Sequence, residues 1–203
     1  MTIHFHRSDL PDHLDFGNAV AVDSETLGLR PHRDRLCLVQ LSAGDGNVHL
    51  VQIAVGQASA PNLKKLMEDP EVTKIFHFAR FDVAMLRHYL DIHTNPIYCT
   101  KIASKLVRTY TDRHGLKDIC SELLGVELSK HQQSSDWGAP DLTEAQKAYA
   151  ASDVLHLHAL RNRLDAMLDR TGRRHLAEAC FGFLPHRAEL DLAGWPEEDI
   201  FAH

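Results

Sequence analysis

The chain has 203 residues, 44% of them apolar and 25% charged, and carries a formal net charge of −6. No apolar run approaches the roughly 18 residues that a membrane span needs. Four scattered cysteines, with no C-x-x-C pair, exclude a thiolate zinc site and a disulfide framework. The acidic balance argues against gripping long nucleic acid by its phosphates, but leaves room for a short anionic ligand or for bound divalent metal.

The N-terminal "MTIHFHRSDLPDHLDF" lacks the basic region and apolar run of a signal peptide, which points to a cytoplasmic protein. Residues 19–25, 35–42 and 47–53 are short, apolar and rich in branched side chains, each bounded by turn signals. Their connections are too short for helical crossovers, so these three strands predict an antiparallel meander. "SAPNLKKLMED" reads as a helix with Pro61 near its first turn, "VTKIFHF" as a fourth strand and "FDVAMLRHYL" as a second helix. This order predicts an α/β fold, a mixed sheet with helices on its faces.

From residue 99 the pattern turns helical, with "CTKIASKLVRTY" and with "GLKDICSELLG" ended by Gly125. After the polar stretch "LSKHQQSSDWGAPD", Thr143 and Gln146 match a capping box that opens one helix running to about residue 170. "RRHLAEACFGFL" predicts a last helix, and the remainder from Pro185 reads as a tail with Trp195 and Phe201 as apolar anchors. Neither repeats nor low-complexity linkers interrupt the chain. One domain is expected over 1–203, with its core at about 15–170.

Three positions carry chemistry that a core does not need. Asp23 and Glu25 end the apolar strand "AVAVDSET" two residues apart, and so share a face. Asp82 follows a strand closely, in the first turn of its helix. Tyr149 and Asp153 fall on the same helical stripe as Leu157, Leu160, Leu164 and Leu168. Singly, each acid has a plain explanation: a helix dipole for Asp82, a core arginine for Asp153, a turn for Asp23. Together, four inward carboxylates require cations that no local Arg or Lys supplies. Two hard divalent ions with oxygen ligands answer this, roughly 3.5–4 Å apart as in phosphodiester hydrolysis. Tyr149 would then orient the attacking water or help deprotonate it, although a phenol with an ordinary pKa near 10 is a poor base at neutral pH.

"VDSETLGL", "FHFARFDVAML" and "YAASDV" resemble, in order and separation, the three motifs of the DEDD superfamily of 3′–5′ exonucleases. Tyr149, four residues before Asp153, resembles the tyrosine subgroup, and the segment ahead of it is similar to ribonuclease D. "VDSETLGLRPHRDRLC", "CTKIASKLVRTYTDRHGLK" and "LDLAGWPEEDIFAH" look more closely like the nano-RNase C family. Its members lack the C-terminal HRDC domains of ribonuclease D, for which too few residues remain here after 170. The resemblance implies a ribonuclease H-like, DnaQ-like fold with a helical C-terminal part and two Mg2+ or Mn2+ ions. It also implies 3′–5′ release of nucleoside monophosphates from very short RNAs, above all 5′-phosphorylated dinucleotides such as pGpG, and a homo-oligomeric, octameric ring. Carried over by position, Asp23, Glu25, Asp82 and Asp153 are metal ligands and Tyr149 the water-orienting residue. Ser24, where Thr is common, is expected to face away from the metals. A broader exonuclease trimming longer RNA or DNA ends, and a non-catalytic nucleic-acid-binding module, are the alternatives.

Substrate contacts are expected at Thr26, through its backbone N–H, and at Leu29, as a wedge between bases or else a core leucine beside Leu27. His77 could reach the substrate or sit buried in its strand. Gln133 and Trp137 border the groove by resemblance, with Trp137 either stacking on a base or anchoring its loop. Lys101, Lys105, Arg108 and Arg113 form either a 5′-phosphate site or a solvated helix face.

Overall fold

The computed structural model describes residues 1–129, 132 and 134–203. Strands β2 (Ala19–Thr26), β3 (Leu36–Ser42) and β4 (Asn47–Gln52) form the expected antiparallel meander. β5 (Thr73–Phe76) lies parallel to β2 on its other side, and β6 (Ile97–Cys99) lies parallel to β5. β1 (Thr2–Arg7) adds parallel to β4, giving the sheet order β1-β4-β3-β2-β5-β6. Every residue of β3 is buried, so both faces of the sheet are covered there.

β1 and β6 were not expected as strands. β6 has three residues, too few for a periodic signal. β1 alternates Ile3 and Phe5 with His4 and His6, and its edge position keeps half of it in solvent.

Seven helices accompany the sheet among the described residues: α1 (Pro61–Glu68), α2 (Ala79–Leu90), α3 (Thr100–Val107), α4 (Leu116–Leu124), α5 (Glu144–Leu155), α6 (Leu157–Thr171) and α7 (Arg174–Ala193). Gly125 ends α4 at φ 68°, a conformation that suits glycine. Thr143 and Gln146 form the full capping box on α5.

The single helix expected over 143–170 is in fact two. His156, at φ −105° and ψ −3°, separates α5 from α6, and the Leu160 N–H restarts the ladder on the His156 carbonyl. The break frees Tyr149 and Asp153 from the stripe of Leu157, Leu160, Leu164 and Leu168, all fully buried. The last helix also runs further than expected. Pro185 sits inside α7. Ala177, Phe181, Leu184 and Ala188 continue the buried spacing across it, so packing against α2 outweighs the missing hydrogen bond. No helix among the described residues is long and apolar enough to cross a membrane.

Candidate active site

The strand order reverses at β2, whose neighbours are β3 and β5, and in α/β sheets such a point is where ligands bind. β5 pairs with β2 only from Ala19 to Ala21, whereas β3 follows it to Thr26. Residues 23–26 thus overhang β5, and a bulge between Glu25 and Thr26 re-aims the strand end. A cavity of about 720 Å³ opens there, with Asp23, Glu25, Asp82, Tyr149 and Asp153 in its wall.

Asp23 and Glu25 turn toward α5, and their carboxylate oxygens and one from Asp153 all lie within 4.8 Å of one another. Asp82 comes from α2 and is held by Ser24, whose Oγ donates to Asp82 Oδ1 at 2.6 Å. Ser24 alternates away from Asp23 and Glu25 along the strand and touches the fourth acid directly.

The charges are severe. Burial, then Asp82, Asp153 and Glu25, holds the Asp23 carboxyl well above the usual range. Glu25 is pushed up to about 9 by burial and by Asp153 and Asp82. Burial lifts Asp82 to about 7 against the hydrogen bonds from Ser24. It lifts Asp153 to about 7 against the bond from Tyr149. Among the described residues, every charged group acting on these acids is another of the four. An all-oxygen donor set with no counter-charge among the described residues fits hard divalent cations. The Tyr149 phenol is itself pushed up, by burial and then by Asp153, Glu25 and Asp23, so it keeps its proton.

The other expected residues fall variously. Leu29 is 81% exposed at the rim and is no core leucine. The Thr26 hydroxyl donates to the Gly28 carbonyl at 2.5 Å, closing the turn after the bulge. His77 lines the cavity and shares a 2.9 Å hydrogen bond between its Nδ1 and Thr100 Oγ1; burial, then Lys101, pushes its pKa down to about 3, so the ring is neutral. Trp137 is only 2% exposed and packs against Tyr149, ring centroids 6.0 Å apart, with no open face for a base. Gln133 lies outside the described residues.

Of the four basic residues, Lys101 lines this cavity and Lys105 a neighbouring one. Arg108 is neither solvated nor available: it is fully buried and donates to Glu122, Ser104 and the Arg113 carbonyl. Arg113 is paired with Asp118. Trp195 and Phe201 are half exposed and exposed, with Phe201 5.8 Å from Phe183.

Phe78 was missed. It precedes α2 with φ 70° and ψ 43°, a strained conformation for an aromatic residue, and its ring is 46% exposed in the cavity wall. Lys101 Nζ sits 4.3 Å from the ring centroid. Nothing local in the sequence signals that backbone.

The family pattern described as 3′-5′ exonuclease matches residues 5–169. The chain belongs to the 3′-5′ exonuclease family. It is 37% identical to the ribonuclease D of Gluconacetobacter diazotrophicus over 154 residues, covering 76% of this exonuclease but 39% of that protein. The chain thus spans about two fifths of the ribonuclease D relatives it matches. Among solved structures, Brucella melitensis NrnC with bound Mg2+ is 61% identical over the full length of both chains, with a TM-score of 0.96. The same protein bound to pGG is 62% identical, covering 100% of this chain and 99% of that one, with a TM-score of 0.97. Escherichia coli RNase D matches 85% of this chain and 45% of its own at 27% identity and a TM-score of 0.76. The mixed sheet with helices on both faces is the fold of these exonucleases.

Proposed function

We propose that this chain is a metal-dependent 3′–5′ exoribonuclease that hydrolyses very short RNAs, above all 5′-phosphorylated dinucleotides such as pGpG, to nucleoside monophosphates. The observation that carries this is the uncompensated charge of four carboxylates meeting from β2, α2 and α5. Their likeness to a relative that binds Mg2+ and pGG supports the same reading.

Asp23, Glu25, Asp82 and Asp153 would hold two Mg2+ or Mn2+ ions. Bound there, such ions supply a nucleophilic water and stabilise the leaving oxygen. Tyr149 donates to Asp153, and its hydroxyl oxygen would orient the attacking water. Trp137 backs the phenol and keeps it from swinging away. The Thr26 backbone N–H meets the 3′ end, Leu29 wedges between the bases and neutral His77 offers a ring nitrogen. Gln133 is kept as a substrate contact by its resemblance to ribonuclease D alone.

The working form is a homo-oligomer, an octameric ring, in the cytoplasm, and residues 1–203 act as one exonuclease domain. Light scattering tests the ring against the 22.9 kDa protomer; a clean monomer removes it.

The decisive assay follows 5′-labelled, 5′-phosphorylated RNAs, from the dinucleotide to the decamer, with and without Mg2+ or Mn2+. Fast cleavage of the dinucleotide with slow cleavage of longer chains is expected. Equal rates at every length would replace it with the broader exonuclease acting on RNA or DNA ends. No metal-dependent cleavage would leave a binding module.

A further inference from the structure

Ser24 stands between two acids of the site and contacts a third. Asp82 is only 4% exposed, and the Ser24 hydroxyl donates to its Oδ1 at 2.6 Å, a short charge-assisted bond. The Ser24 backbone N–H reaches the same carboxylate. The three acids whose oxygens cluster within 4.8 Å do not include Asp82, which comes from α2 and carries its own contact to Ser24. A carboxylate beside three others is repelled by all of them, and rotation about its two side-chain bonds would carry it away. A donor to Asp82 opposes that rotation, and among the described residues Ser24 supplies the one side-chain hydrogen bond acting on it.

We infer that Ser24 is a positioning residue: its hydroxyl fixes the orientation in which Asp82 helps hold one of the two ions, and Asp23, Glu25 and Asp153 do not depend on it. This rests on the two-ion reading above. The strand alternation that puts Asp23 and Glu25 on one face also sets Ser24 apart to contact Asp82, so three consecutive residues organise all but one of the ligands.

The test compares Ser24→Val with Ser24→Thr in the full chain. Both replacements are β-branched, suit a strand and have nearly the same shape, but only Thr keeps the hydroxyl. Mn2+ binding is measured by calorimetry, with electron paramagnetic resonance counting free ion. The wild type and Ser24→Thr should bind two ions. Ser24→Val should weaken one of the two about tenfold or more and leave the other unchanged, the size expected for losing a partner of a metal ligand. Its kcat on a dinucleotide should fall with KM little changed. Ser24→Ala, which removes the hydroxyl without adding bulk, should repeat the loss should Ser24→Val fold poorly. Two undisturbed Mn2+ sites in folded Ser24→Val or Ser24→Ala overturn the role of Ser24. A wild type that binds no pair of ions overturns the two-ion reading, and the inference with it.

Discussion

Arg80 grips both oxygens of Asp191, at 2.5 and 2.7 Å, and ties the first turn of α2 to the end of α7. Arg187 holds the same carboxylate from α7, and both arginines also donate to carbonyls of the segment after Gly194. Asp191 has a side chain only 10% exposed, so this is a pair with real shielding. Arg80 lies two residues from Asp82, and with Asp191 it forms part of the wall of a second cavity that shares Leu29 and Phe78 with the first.

Arg80→Met should therefore loosen the C-terminal segment before it touches the acids. Arg187 keeps part of the pairing, so a loss of about 1–2 kcal/mol is expected in urea unfolding. Limited proteolysis should cut residues 194–203 faster than in the wild type. Unchanged proteolysis would mean that Arg187 alone secures the segment.

Asp153→Asn removes one carboxylate from the cluster of three. Turnover in Mg2+ should fall by about 10³-fold or more, given what one positioned charge contributes to such a site. Dinucleotide cleavage assays measure it, and near wild-type rates would remove Asp153 from the metal set.

Tyr149→Phe should lower kcat by about 10²-fold while leaving KM nearly unchanged, the size expected when the attacking water loses its orientation. The raised phenol pKa means the proton stays on, so the wild-type pH–rate profile should show no limb from Tyr149 between neutrality and mild alkali. A pure rise in KM would make Tyr149 a binding residue instead.

Metal removal and pH should be linked. Below about pH 4 the four acids are protonated folded or unfolded, and they leave stability untouched. As pH rises, the unfolded chain ionises first. Asp82 and Asp153 follow near 7 and Glu25 near 9, always against burial and one another. Raised folded pKa values mean stability present at low pH is lost as pH climbs through them. Metal-free protein should thus melt lower in mild alkali than in mild acid, and Mg2+ should restore more of the melting temperature on the alkaline side. Glu25→Gln should flatten that slope. Scanning calorimetry in EDTA decides it.

Lys74 is fully buried with its ammonium on the carbonyls of Asp69, Val72 and Asn95, at 2.6, 2.6 and 2.7 Å. Lys74→Met keeps the bulk but leaves those carbonyls without their donor. A loss of about 2 kcal/mol or more is expected in urea unfolding, from the usual penalty for orphaned buried polar groups.

The meander, the capping box and the four acids were legible because each follows a short-range rule: alternation along a strand, a hydroxyl three residues before Gln146, a carboxylate one turn after a phenol. What escaped depends on partners distant in sequence. Arg108 reads as a solvated cation until Glu122 and the Arg113 carbonyl are folded around it. Ser24 was placed on the correct face, but which helix covers that face is a property of the packing. His156 carries neither Pro nor Gly to announce a break; the break comes from two helices that must bury different stripes.

The overhang of β2 beyond β5 has a consequence of its own. The crevice owes its existence to unequal strand lengths: one neighbour accompanies β2 to Thr26 and the other stops at Ala21. Lengthening β5 by two residues would lay backbone across the opening and shut it with every acid intact. Room for chemistry is here a matter of where a ladder stops.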